Sequence, residues 1–144
     1  MWLHGLLGFV LALRATSAFC EPFLVQAGEH GSFTRLVVSA APDTAWSTQK
    51  NGRSVELRIP SYSDGFTTAN TFSRIDRSRI ASIDALSDRL KIKIGCDCDV
   101  ATFVDQGRHI VIDVGDKGHK FVGALLYDDK PPRNLTSGFS HKSG

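Results

Sequence analysis

Asp88-Arg89-Leu90-Lys91-Ile92-Lys93-Ile94 alternates charged and apolar residues without a break, so Leu90, Ile92 and Ile94 share one side and Arg89, Lys91 and Lys93 the other. A period of two over this length is the pattern of a strand half buried against a core. Ser54-Val55-Glu56-Leu57-Arg58-Ile59 shows it again, with Val55, Leu57 and Ile59 facing in. Each stretch belongs to a longer unit. The later unit runs from Asp88 through the polar break Cys96-Asp97-Cys98-Asp99, a middle strand ending near Phe103 and the turn Gln106-Gly107, to His109-Ile110-Val111-Ile112-Asp113-Val114. The earlier one runs from Thr34-Arg35-Leu36-Val37-Val38 through Pro42-Asp43 and Asn51-Gly52 to Ile59. Self-similarity at a spacing of roughly 55 residues is an architectural signal. It predicts a mainly β fold: a small antiparallel β-sandwich built from two related three-stranded units, about 33–60 and 88–115, with at most one short helix.

Local signals fill in the units. Asn51-Gly52 marks a tight hairpin, both residues tolerating positive φ, and Gln106-Gly107 takes the matching place. Phe23-Leu24-Val25 reads as a strand preceding the first unit. Thr34–Val38 and His109–Val114 are more continuously apolar, which predicts that both of their faces are covered. Trp46 and Phe103 supply core aromatics to the middle strands. Ser61–Asn70 is loop composition, and the segment from Phe72 to Leu86 predicts a helical turn over 76–80 followed by a strand near 80–86. Glu29-His30-Gly31 reads as a turn entering the first strand, and Asp113 as facing solvent or tying an edge.

The ends of the chain have different composition. Leu3–Leu13 is apolar apart from His4 and its glycines, and Ala15-Thr16-Ser17-Ala18 follows Arg14. That order matches a secretory signal cleaved after Ala18, with an uncleaved anchor as the rival. The expected division is a signal peptide over 1–18, a β domain over 19–116 and a linker or disordered tail over 117–144, in a periplasmic or secreted protein. The formal net charge is +2, and no block of like charge stands out, which points away from nucleic acid. Membrane association is expected only if the signal segment is retained.

Cys20, Cys96 and Cys98 would all survive cleavage, and an oxidising compartment favours their pairing. Readings of the Cys-x-Cys pair stay open: a structural disulfide, including one from Cys20 to either member, inert thiols, or redox or metal chemistry. A zinc site lacks two further ligands nearby, and His109 is the only imidazole on a neighbouring strand. Asp97, Asp99 and Asp105 match no calcium loop and suit turns. No metal and no cofactor is expected. Among the basic residues from Arg74 to Lys93, Arg77, Arg89, Lys91 and Lys93 form the candidate binding surface. Such side chains either solvate a strand face or meet anionic glycan, headgroups or carboxylates. Neither Glu29-His30 nor Asp113 has a nucleophile beside it in any known catalytic spacing, so no enzyme is predicted.

Ile80-x-x-Ile83, Arg89-Leu90-Lys91-Ile92-Lys93-Ile94, Val100-x-x-Phe103 and the closing His109-Ile110-Val111-Ile112-Asp113 together resemble the AMIN domain family, small β-modules of bacterial cell-envelope proteins. The likeness covers about 35 residues of the second unit well and the first unit loosely, and it rests on apolar spacings. It implies a non-catalytic role in targeting or tethering, with peptidoglycan or an envelope protein complex as partner. The Cys96-Asp97-Cys98 turn departs from the family pattern. The function expected is a secreted, non-catalytic envelope-binding module; the alternative is a small periplasmic thiol-redox or metal-binding protein using Cys96 and Cys98.

Overall fold

A computed structural model of the chain describes residues 21–60, 65–121 and 125–126. Residues 1–20, which hold the expected signal segment and Cys20, and the chain beyond 126 lie outside the described residues. The strands are β1 (Phe23–His30), β2 (Phe33–Ser39), β3 (Ser47–Asn51), β4 (Ser54–Arg58), β5 (Phe66–Thr67), β6 (Ile80–Ala85), β7 (Arg89–Ile94), β8 (Asp99–Asp105), β9 (His109–Gly115) and β10 (Leu125–Leu126). They form two sheets packed as a small sandwich, one ordered β10-β8-β9-β2-β1-β5 and the other β3-β4-β7-β6.

The connectivity interleaves the two halves of the chain. The β1–β2 hairpin lies in the first sheet, and the chain then crosses to lay β3–β4 into the second. The β6–β7 hairpin lies in the second sheet, and the chain crosses back to lay β8–β9 into the first. Each sheet is completed where the halves meet, β2 against β9 and β4 against β7, both antiparallel. Neither three-stranded stretch recognised in the sequence is therefore a sheet by itself.

The alternating residues meet between the sheets. Leu36 and Val38 of β2 with Ile110, Ile112 and Val114 of β9 face Val55, Leu57, Leu90, Ile92 and Ile94 across one hydrophobic core. Thr48 of β3 and Thr102 of β8 are also buried, and their hydroxyls bond to each other at 3.3 Å across the sheets, so neither is left unsatisfied. Strand β9 is buried along nearly its whole length, as its continuous apolar run predicts. Strand β2 instead alternates between buried and half-buried residues, with Phe33, Arg35, Val37 and Ser39 half-buried on its outer face.

The turns follow the chemistry of their glycines with one shift. Asn51 ends β3 and pairs with Ser54, so the two-residue loop is Gly52-Arg53, with φ +58° at Gly52. Gln106 and Gly107 both have positive φ, as a type I′ turn requires, and the Arg108 amide donates to the Asp105 carbonyl. In the first crossover Pro42 precedes Asp43 at φ +62°, and the Thr44 amide closes on the Ala41 carbonyl.

The predicted helical turn falls elsewhere: a 3-10 turn spans Thr71–Ser73, and 77–79 is a bend before β6. Asp76 is the reason, since its carboxylate accepts from both the amide and the hydroxyl of Ser78 and offers the backbone an alternative to helix. The bend runs close to the second crossover. A Cβ on Gly95 would stand 2.6 Å from the Ser78 carbonyl oxygen, so only glycine fits where the Gly95 amide donates to the Arg79 carbonyl.

Candidate functional site

The outer face of the second sheet carries most of the predicted basic surface. Arg89, Lys91 and Lys93 project from β7, flanked by β4 and β6. Arg89 is held by Asp88 through a two-pronged contact at 2.9 and 3.2 Å, and reaches Glu56 at 3.4 Å. Arg58 meets the same Glu56 oxygen. Lys91 lies in register between Glu56 and Asp84, and Lys93 between Ser54 and Ser82. Both lysines are exposed, and the ion pairs among the described residues leave them out. Arg77 is elsewhere: its guanidinium stacks 3.9 Å above the Phe72 ring and donates to the Ala81 carbonyl on the bulged strand β6. The four predicted residues are thus a row of three plus one that serves the fold.

Arg79 is more deeply committed. It donates twice to Asp116, once to Glu29 and once to the Gly31 carbonyl, joining the start of β6 to the β1–β2 turn and the end of β9. The hydrogen bonds from Arg79 hold the Asp116 carboxyl below its ordinary pKa, and those from Arg89 do the same for Asp88. The Ser78 hydroxyl and then its amide lower Asp76. A carboxyl depressed on folding contributes stability that is present above its unfolded pKa and is lost as pH falls through its folded value. Denaturant stability should therefore decline as pH drops below the ordinary 3.8. Asp116→Asn should flatten part of that decline; an acid limb that overlays the unmodified protein's would count against the Arg79 contact as its source.

On the outer face of the first sheet stands a group that the sequence reading missed. Asp113, 3% exposed on the central strand β9, accepts from Arg35 Nε and Nη2 at 2.7 Å each. The guanidinium lies between the Phe33 and Phe103 rings, 5.3 and 5.6 Å from their centroids. Asp113 therefore neither faces solvent nor ties an edge, and Phe103 is a stacking platform for Arg35 rather than a core residue. Trp46 does pack partly against the core. The side-chain hydrogen bond to Asp113 raises the Arg35 pKa. The legible signal was a lone carboxylate in the run Ile110-Val111-Ile112-Asp113-Val114, where a charge needs a partner.

Beside this pair, Phe33 stacks on His30 at 4.7 Å and meets His119 at 5.1 Å, with Phe121 edge-on to His119. His119 belongs to a strap, residues 116–121, that turns back over the end of β9. A Cβ on Gly115 would meet Phe121 at 2.8 Å.

Cys96 and Cys98 are bonded to each other in the crossover between β7 and β8, with Cα atoms 5.2 Å apart. Neither is joined to Cys20. A disulfide closing so short a loop removes little denatured-state entropy, about 1.6 kcal/mol in the loop-closure relation against about 3 for a 15-residue loop. Asp97 and Asp99 on this turn are engaged by Lys117 Nζ, at 3.1 and 3.3 Å, and by the Gly118 amide at 2.7 Å. Asp105 sits at the far end of β8, so the three aspartates do not converge. Among the described residues no group of three or more His, Cys, Asp or Glu side chains is placed to hold a metal ion.

No family model matches the chain, and neither a curated protein nor a solved structure matches it.

Proposed function

We propose that the protein is a non-catalytic binding module of the bacterial cell envelope, exported by the signal over residues 1–18, with peptidoglycan or an envelope protein as its partner. The observation that carries this reading is the pair Lys91 and Lys93, side by side on an exposed sheet face while the neighbouring arginines are already engaged by carboxylates. Ammonium groups free of an ion pair are available to carboxylates or anionic glycan without breaking a contact of the fold. The AMIN-like spacing supports the same reading. So does the connectivity, in which β1–β4 and β6–β9 follow the same hairpin–crossover–hairpin course and are proposed to be an internal repeat.

Sedimentation with purified peptidoglycan tests it. The unmodified protein should pellet with the polymer, and Lys91→Gln with Lys93→Gln should weaken retention about tenfold or more, since a charge-assisted hydrogen bond contributes roughly 1.5–3 kcal/mol. Both side chains are exposed, so the thermal transition should stay where it was. Equal retention by the variant would remove this face from the proposal; absence of retention by either protein would leave an envelope protein as the partner to be sought.

A further inference from the structure

The Cys96–Cys98 bond does little as a staple, because both chains entering it are held without it. On one side the Gly95 amide donates to Arg79; on the other Asp99 and Val100 are in register with Gly115 and Val114. The turn stands at the surface, with the Asp97 side chain 79% exposed and Cys96 only partly buried, whereas Cys98 is 8% exposed. Its two aspartates are the grip on the strap: Asp97 on Lys117 and Asp99 on Gly118. The strap in turn seats His119 against Phe33 and within 3.1 Å of the Ser32 hydroxyl. A small covalent ring thus fixes the residue, Asp97, that reaches across to Lys117.

We propose that Cys96–Cys98 is a thiol–disulfide exchange site, open to a dithiol in the folded protein, and that the strap over residues 116–121 responds to its state. The dithiol's thiolate attacks Sγ of Cys96, the more exposed of the two residues. The Cys96–Cys98 bond breaks, its electron pair leaves on Cys98 Sγ, and that sulfur takes up a proton. The dithiol's second thiolate then attacks its own sulfur in the mixed disulfide, closing a cyclic disulfide and releasing Cys96, which is protonated in turn. Two electrons and two protons pass from the dithiol to the protein. With the ring open, Asp97 is no longer held toward Lys117, while Arg79 still holds Asp116 at the strap's near end. The change is local: the sheets keep their pairing, and the segment carrying His119 loosens.

Reduction of the purified full chain with dithiothreitol, without denaturant, tests both parts. The protein should gain the mass of two hydrogens while its far-ultraviolet dichroism stays unchanged. In the reduced protein the Gly118 amide should exchange with solvent about threefold faster, the scale set by loss of one exposed ion pair, and the Val114 amide should not change. The oxidised Asp97→Asn variant should show the same acceleration at Gly118 without reduction. A Cys96→Ser, Cys98→Ser variant should fold and match the reduced protein. Reduction that proceeds only in denaturant, identical Gly118 exchange in both states, or a double serine variant that does not fold would each overturn the proposal.

Discussion

Methionine in place of Arg35 should destabilise the domain by about 3 kcal/mol, measured by urea denaturation near neutral pH. The expected size follows from which partner is left behind. Asp113 is 3% exposed on the central strand, so without Arg35 its carboxylate has neither a hydrogen-bond donor from that side chain nor free access to water. Breaking a buried pair from one side costs about 3–5 kcal/mol, and the lower end applies because the Arg35 side chain is itself 35% exposed. The same asymmetry predicts the ranking of other variants. Asp113→Asn should be milder, since Arg35 can turn its guanidinium to solvent while keeping contact with Phe33 and Phe103. Arg35→Lys keeps the charge but loses the planar fork that meets both carboxylate oxygens and stacks between two rings, so it should fall between the native residue and methionine. Methionine at 35 combined with asparagine at 113 should be less unstable than the sum of the single changes, because the uncompensated charge is gone. An Arg35→Met variant as stable as the native protein would mean that water reaches Asp113 in solution.

That pair also marks where the sequence could be read and where it could not. Alternation in β4 and β7 placed Val55, Leu57, Leu90, Ile92 and Ile94 in the core, because strand period is a local property and each strand needs only one buried face to show it. The pairing of β2 with β9 depends on contacts about 80 residues apart in sequence, and local periodicity carries no information on which strand lies beside which. Arg35 and Asp113 could each be seen as charges inside apolar runs, but their meeting required that register. Arg79 was hidden for the same reason: its partners come from two places distant in sequence, Glu29 and Gly31 at the β1–β2 hairpin end and Asp116 just past β9. The basic row failed only at Arg77, which lies in the bend before β6 rather than on the sheet face and stacks on Phe72. The Cys-x-Cys pair is the opposite case. Its chemistry was visible at once from spacing, but its grip on Lys117 and Gly118 was not, because those residues follow β9 and return to the turn only once the sheet is formed.

Leu36→Ala and Leu90→Ala should each lower stability by about 2–5 kcal/mol, the range for a leucine removed from a closed core. Both side chains are fully buried, one in each sheet. The informative result is the shape of the unfolding curve. If the sheets were separate units, a cavity in the first would shift only the transition reported by strands β1, β2, β8 and β9. The connectivity forbids that separation. Each crossover runs directly from a hairpin in one sheet to a hairpin in the other, and each sheet is closed by strands from both halves of the chain. Releasing β2 therefore frees the edge of β9 and slackens the connection to β3, so that loss in one sheet is felt in the other. Near- and far-ultraviolet dichroism should accordingly give coincident transitions in both variants, with the midpoint displaced and the denaturant slope unchanged. Since a domain of this size is stable by only about 5–15 kcal/mol, the combined variant should be largely unfolded or close to it at room temperature. Transitions that separate in Leu36→Ala but not in Leu90→Ala would show that the second sheet stands without the first, and the interleaved hairpins would then be a topological fact without energetic consequence.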